Sequence, residues 1–229
     1  MSIHGGHRQR LRDRFVEQGL DSFTQIQVLE LALFYCIPRQ DTNELAHRLL
    51  ERFGSFSQVL DADLTDLMSV KGIGENTAVF LKLLPAVGRF YQVDLAALEG
   101  SPLLTTDACG AYLLPRFVGR CNETVFLLCL DAKGKVICCR LMGEGGINSA
   151  GVPIRKIVET ALSTKATTVV LAHNHPSGIA LPSKEDITAT LRVATALDAV
   201  DVVLADHLVV ADGDYTSMVQ SGYYRPGML

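Results

Sequence analysis

Residues 167–187 read TTVVLAHNHPSGIALPSKEDI, and the change of period along this stretch decides what kind of domain carries it. Thr167–Ala172 is a short apolar run of strand length that ends in a pair of histidines. Pro176-Ser177-Gly178 breaks the chain and exposes that pair. From Ser183 to Leu197 the apolar residues recur at helical spacing, behind a capping residue. The stretch is therefore strand, loop, helix. On an extended chain residues i and i+2 point to the same side, so His173 and His175 can both face one ion at a strand end. Ser183-x-x-Asp186 is also a plain helix-capping pattern, and either residue alone would mean only that. With the two imidazoles, however, Asp186 completes a three-donor set that leaves a fourth tetrahedral position for water, the form of a catalytic site rather than a closed structural one. At pH 7 neutral imidazole and ionised carboxylate are both available.

Working outward, the same half of the chain alternates strands and helices. Thr124–Leu130 (TVFLLCL) is a buried-strand run, Asp131–Gly134 a turn, and Lys135–Met142 a returning strand. Pro153 stands where a helix can start, with Ile154, Ile157, Val158, Ala161 and Leu162 at its period. Val200–Val210 reads as one or two strands. The order β-β-α-β-α-β predicts an α/β or α+β domain with helices packed on a sheet. The Asp107–Val118 segment is helical in pattern but contains Pro115, so it is expected to be short or bent. The first part of the chain reads as helices only. Ser22-x-x-Gln25 is a capping box before Ile26, Leu29 and Leu33, and Asp41-x-x-Glu44 opens the next helix, which Gly54 ends. A short helix spans about Asp63–Met68, and another runs from about Glu75 to Tyr91. Residues 98–106 (LEGSPLLTT) are the expected linker. The predicted organisation is a helical domain over 1–97 and a sheet-and-helix domain over 98–229.

Composition removes several classes. The 229 residues are 48% hydrophobic and 20% charged, with a formal net charge of −4, which is a folded chain that does not bind nucleic acid by bulk charge. No apolar run approaches a membrane span, and MSIHGGHRQRLRDRF lacks the apolar core of a secretory signal. The six cysteines include no Cys-x-x-Cys pair, and a reducing, cytoplasmic setting with free thiols is expected. No His-Glu-x-x-His, no His-x-Glu with Pro-Cys-x-x-Cys and no P-loop occurs, so the common zinc-peptidase helix, a base deaminase and a P-loop nucleotide site are not expected. Asp206-His207 reads as a polar pair on a strand, with His207 hydrogen-bonded near the metal loop, rather than as an HD-type phosphohydrolase centre.

The ordered set His173-x-His175, seven residues, Ser183, two residues, Asp186 resembles the JAMM (MPN-plus) metalloprotease signature. HNHPSG followed by PS and D is similar to the form found in bacterial RadC-family proteins. The likeness covers nearly the whole chain, since GHRQRLRDRF, PRQDTNELAHRLLERFG and VKGIGENTA resemble the helical half of RadC proteins. The resemblance implies a JAMM domain of cytidine-deaminase-like architecture behind a helix-hairpin-helix-like domain. It also implies that His173, His175 and Asp186 ligate Zn2+, that Ser183 orients the site through a hydrogen bond, and that an upstream Glu is general acid/base. Glu123, just before the first buried strand, is the preferred candidate, with Glu144 in the MGEGG loop and Glu159 on a helix as alternatives. Asn174 stands where eukaryotic JAMM peptidases usually carry Ser or Thr, a departure that fits RadC and argues against a deubiquitinase-like activity.

The expected activity is hydrolysis of a peptide or isopeptide bond in a peptide or protein substrate, by water whose pKa zinc would lower to about 7. Ser183 is expected to help stabilise the developing oxyanion. Two His and one carboxylate also suit manganese or iron. Rival readings are a metal-dependent nuclease on branched or damaged DNA and a non-catalytic DNA-associated scaffold. The context for the nuclease is the RadC resemblance, through that family's association with DNA repair. The candidate DNA contact is Val70–Gly74, where a Lys71-Gly72-Ile73-Gly74 hairpin before a helix, similar to that of a helix-hairpin-helix module, can offer main-chain amides and one cation to a phosphate. Arg8, Arg10, Arg12 and Arg14 form a separate basic cluster that could touch a backbone or an acidic partner.

Overall fold

The structure is a computed structural model, and it describes residues 3–38, 40–98, 102–145 and 153–227. The chain divides into two units, residues 1–88 and 89–229. Among the described residues the helices of the first part are α1 (Ile3–Gln18), α2 (Gln25–Cys36), α3 (Asn43–Phe53), α4 (Phe56–Asp61), α5 (Leu64–Ser69) and α6 (Glu75–Leu98). Leu29 and Leu33 of α2, Leu45 and Leu49 of α3, Leu67 of α5 and Leu81 of α6 share one core, the faces that their spacing predicts. Gly54 ends α3 at φ 95°, the conformation that favours glycine. The capping box of α2 lies two residues later than expected. Thr24, not Ser22, accepts the Gln27 amide, while the Gln27 side chain accepts the Thr24 amide at 3.1 Å. Ser22 is taken instead by Arg14, whose guanidinium donates to its hydroxyl and carbonyl. The helix after Asp41 is capped at Thr42 without a side-chain bond, and Asp41 accepts the Asn43 amide instead. α6 carries Pro85 inside it and runs past Tyr91 to Leu98, so the described start of the expected linker is helical, while residues 99–101 lie outside the described set.

The second unit contains α7 (Thr106–Leu113), a 3-10 turn (Leu114–Phe117), β1 (Thr124–Leu130), β2 (Val136–Glu144), α8 (Ile154–Thr164), β3 (Thr168–Asn174), α9 (Lys184–Asp198), β4 (Val203–Ala211) and β5 (Asp214–Ser217). Pro115 sits at the start of the 3-10 turn, where its missing amide costs least, so α7 is short as expected. The strands form one sheet in the order β2-β1-β3-β4-β5, antiparallel except for the β3–β4 pair, which α9 connects. This is an α+β arrangement. β5 was not anticipated in the sequence; it pairs with the end of β4 after the Asp212-Gly213 turn.

Alternation along the strands assigns the two faces of the sheet. Val125, Leu127, Val169, Leu171 and Val209 meet Ile157 and Ala161 of α8 and Val193 and Leu197 of α9. Phe126, Leu128, Val170, Ala172 and Leu208 meet Cys109 and Leu113 of α7. Cys138 packs on the first core and Cys139 on the second, the filling role expected of them. By the same parity His173 and His207 lie on the α8/α9 face. Asp206 lies on the other, where it is 4% exposed. Its carboxylate accepts from the amides of His207 and Val219 and from the hydroxyls of Ser217 and Thr106. Asp206→Ala leaves those buried donors without an acceptor. At about 1–3 kcal/mol for each unmet group, a loss of at least about 3 kcal/mol is expected in urea denaturation. A change under about 0.5 kcal/mol would show that the node does not hold β4 to β5.

Candidate metal centre

β3 extends two residues beyond the expected Ala172, because Asn174 pairs with Val210 and the His175 amide donates to the Val210 carbonyl at 2.8 Å. His173 is thereby inside the sheet and fully buried, while the His175 side chain keeps 16% of its surface. The chain then turns through Gly178 at φ 82°, a conformation that favours glycine, and an added Cβ would lie 2.9 Å from Asp212 Oδ2 and displace that side chain. Ser183 caps α9 and brings Asp186, in the helix's first turn, against the two imidazoles.

The distances test whether a cation fits. Asp186 Oδ1 lies 3.3 Å from His173 Nε2, Asp186 Oδ2 lies 3.3 Å from His175 Nε2, and the two Nε2 atoms are 2.9 Å apart. Bonds of about 2.0–2.1 Å to a tetrahedral ion require donor atoms about 3.3 Å apart. The two 3.3 Å approaches end on different Asp186 oxygens and the Nε2–Nε2 edge is shorter than that spacing, so the side chains converge on one point without yet forming the polyhedron's edges; the donor set suits a divalent cation.

Hydrogen bonds around the triangle orient the donors. His175 Nδ1 faces the Ile179 carbonyl at 3.0 Å; a carbonyl only accepts, so Nδ1 carries the proton and Nε2 keeps its lone pair. Ser183 supplies its amide at 2.8 Å and its hydroxyl at 2.6 Å to Asp186 Oδ2, and accepts the Asp186 amide in return. The capping reading and the orienting reading of Ser183 are therefore the same set of contacts. Burial pushes the Asp186 carboxyl up, but the bonds and charge from His173 and the Ser183 bonds outweigh it and hold the group well below the usual carboxylate range. Burial, foremost, with the neighbouring His173, pushes His207 well below the ordinary histidine value, so it is neutral at pH 7. His207 Nε2 lies 2.7 Å from His173 Nδ1, so the expected hydrogen bond near the metal loop is present.

The candidate bases fall in different places. Glu159 forms an exposed ion pair with Arg155 on α8. Glu144 pairs with Thr124 across β1–β2, which places it on the sheet face away from the imidazoles, and Arg120 lies 3.8 Å from its carboxylate. Val125 is the last β1 residue paired with β3, opposite His173, and Glu123 stands two residues before it, just ahead of the strand. Asn174, between the two histidines, ties down this segment. Its Oδ1 accepts the Thr124 amide at 2.8 Å, and its Nδ2 donates to the Asn122 carbonyl at 3.2 Å. Sequence reading assigned Asn174 no such role, and it missed Thr190, which lies one helical turn after Asp186.

Comparison with known proteins gives the family of the chain. Residues 103–223 match the family described as RadC-like JAB domain, and residues 6–79 match UPF0758 N-terminal. The chain belongs to the RadC family. RadC-like relatives along its length include UPF0758 protein FN0909 of Fusobacterium nucleatum, 32% identical over 223 residues, which cover 95% of this chain and 96% of that one. UPF0758 protein SPO0054 of Ruegeria pomeroyi is 35% identical over 217 residues, covering 95% and 96%. UPF0758 protein Bxeno_A3578 of Paraburkholderia xenovorans is 34% identical over 212 residues, covering 93% and 83%. The JAB domain is the setting of a metal-dependent hydrolase, and the His173-His175-Asp186 group is its possible metal site in this RadC protein.

In the helical unit Val70–Gly74 links α5 to α6. Lys71 and Gly72 are exposed, and Gly72 adopts φ 100°. Ile73 is 6% exposed and belongs to the helical core, so of the four hairpin residues its side chain serves packing. The basic cluster is partly used within the fold: Arg8 donates to the Ile37 and Pro38 carbonyls at the end of α2, and Arg8 and Arg12 stack on Phe34. Among the described residues no helix is long and apolar enough to cross a membrane.

Proposed function

We propose that this RadC-like protein is a zinc-dependent peptidase or isopeptidase. The observation that carries the reading is the convergence of His173, His175 and Asp186, two imidazoles and one carboxylate of the kinds a catalytic zinc site uses. A cation held there supplies Lewis acidity and lowers the pKa of water at the open position. The residues of the chain do the rest. His175 reaches the surface and marks the side from which substrate enters. Ser183 holds the Asp186 carboxylate; its hydroxyl can serve a developing oxyanion only by leaving Asp186 Oδ2, its present acceptor. Glu123 takes and returns the proton, a role supported by its place two residues before Val125, the strand partner of His173. The test is hydrolysis of a peptide and isopeptide library by zinc-loaded protein beside the His175→Ala variant. Turnover that is lost with His175 supports the reading; a protein with full zinc occupancy and no turnover of any library member would sink it.

The Asn174 bonds predict a second result. Asn174→Ala frees the 120–124 segment from β3 without removing a metal donor. Turnover should fall by about tenfold or more while zinc affinity stays within about threefold, because a small misplacement of a base is costly. Equal turnover in the variant would show that the tether does not position Glu123.

A second reading, DNA binding through the hairpin, is supported by the exposed Lys71 and Gly72 ahead of a helix start. It makes the protein DNA-associated whether the second unit cuts peptide or branched DNA. Gly72→Val cannot keep φ 100° without strain and should abolish salt-dependent binding of duplex DNA in an anisotropy titration. Unchanged binding would assign the contact elsewhere.

A further inference from the structure

The buried face behind the metal triangle carries a run of polar groups with no solvent contact. His173 Nδ1 lies 2.7 Å from His207 Nε2, His207 Nδ1 lies 2.6 Å from Thr190 Oγ1, and Thr190 Oγ1 lies 2.6 Å from the Asp186 main-chain carbonyl. The four residues are 0%, 1%, 0% and 3% exposed. The run starts on one proposed metal donor, crosses to β4, enters α9 and ends on the residue that bears another. It therefore couples the strand that carries His173 to the helix that carries Asp186.

With the imidazoles neutral, donor bookkeeping allows the run two directions only. In the first, the Thr190 hydroxyl donates to the Asp186 carbonyl, which can only accept. Thr190 then accepts from His207 Nδ1–H, His207 Nε2 accepts from His173 Nδ1–H, and His173 Nε2 is left as a bare lone pair aimed at the triangle. In the second, the Thr190 hydroxyl leaves that carbonyl and donates to His207 Nδ1, His207 Nε2–H donates to His173 Nδ1, and His173 Nε2 carries a proton that points at Asp186 Oδ1. Only the first can bind a cation. We propose that His207 is a positioning residue for the metal centre: with Thr190 it fixes His173 as the Nδ1–H tautomer and so presents Nε2 to the cation. The inference rests on the metal-site reading above and deepens it.

The design has a physical reason. A metal-bound histidine commonly donates its second N–H to a carboxylate or a carbonyl. A carboxylate here would bury a second negative charge beside Asp186, at a large desolvation cost. The nearest candidate, Asp206, is turned to the opposite face and satisfied by four donors. His207 meets the same need as a neutral acceptor, and Thr190 passes the bond on to a carbonyl that α9 already provides.

The experiment is a zinc titration of the full chain against a chromophoric chelator, for wild type, His207→Phe, His207→Gln and Thr190→Val, joined to 15N NMR of the imidazoles in zinc-loaded protein. His207→Phe should weaken zinc binding by about 10–100-fold. His207→Gln, whose amide both accepts and donates, should recover most of that loss, a rescue that a purely space-filling role would not require. Thr190→Val should weaken binding by several-fold. The wild-type spectrum should show His173 protonated at Nδ1. Equal affinity in folded His207→Phe, or His173 ligating through Nδ1, overturns the inference while leaving the metal site in place. If His207→Phe does not fold, wild-type affinity in Thr190→Val has the same force. Wild-type protein that binds no zinc overturns the metal reading itself, and this inference with it.

Discussion

Asp186→Ala should eliminate zinc binding and, with it, the thermal stabilisation that zinc gives the wild type. At a free zinc concentration about a thousand times the dissociation constant, a ligand that binds only the folded state adds about 4 kcal/mol. For a chain of this size that is a rise in melting temperature on the order of 10 °C. The variant should show no zinc-dependent rise. Two effects contribute to so complete a loss. The carboxylate faces both imidazoles at 3.3 Å, so its removal takes away the one anionic donor and the charge that balances the cation. It also removes the acceptor for the Ser183 amide and hydroxyl, which loosens the start of α9 by about 1 kcal/mol even without metal. Differential scanning with and without zinc separates the two: the cap loss appears in both scans, the ligand loss only in one. The sign of the acid response follows from the same contacts. The folded-state Asp186 carboxyl is held below its unfolded value, so its contribution is fully present above the unfolded value of about 4 and fades as pH falls toward the folded one. A zinc-dependent shift that survives in Asp186→Ala would place the cation elsewhere.

The parts of the site that could be read from sequence are those encoded locally. His173 and His175 share a side because a strand has period two, and Ser183 and Asp186 meet because a helix start brings residue N3 back to its cap. The long-range partners obey no such spacing. His207 could be suspected as a polar residue near the loop, but its bond to His173 depends on the parallel β3–β4 register, and that register contains an irregularity between Val169 and Val170. Thr190 and Asn174 carry ordinary polar side chains whose roles appear only once three elements converge. In the helical unit two overlapping patterns, Ser22-x-x-Gln25 and Thr24-x-x-Gln27, satisfy the same local rule. Arg14 decides between them by claiming Ser22 from a different helix. β1, β3 and β4 were legible because they are largely apolar runs buried on both faces, whereas the short polar β5 (DYTS) was not. The extra length of β3 was not, since Asn174 and His175 are held there by Val210, far along the chain.

Glu123→Gln should separate chemistry from binding. The substitution keeps the shape of the side chain and removes its capacity to take a proton. Peptide turnover should fall by about 10²–10⁴-fold, the usual contribution of a positioned acid/base, while zinc affinity stays within about threefold. The parallel variant Glu144→Gln should turn over at nearly the wild-type rate. The contrast rests on where the two residues stand along the strands. Glu144 is matched with Thr124, whose side chain alternates with that of Val125, so it stands on the far face of the sheet beside Arg120. Arg120 in turn lies over Phe126, in the core of that far face. Glu123 stands just ahead of the strand, two residues before Val125, which pairs with His173. Its main-chain carbonyl is fixed by the Gly145 amide at 2.8 Å, and the next amide along is held by Asn174. The backbone on both sides of the carboxylate is therefore clamped, one clamp coming from between the two metal-site histidines. If Glu144→Gln were the variant that lost turnover, the strand register on which this assignment stands would have to change during catalysis. If both variants retained turnover, the proton would have to pass through a group other than either glutamate, and the hydrolytic role of the Asn174 tether would fall with them.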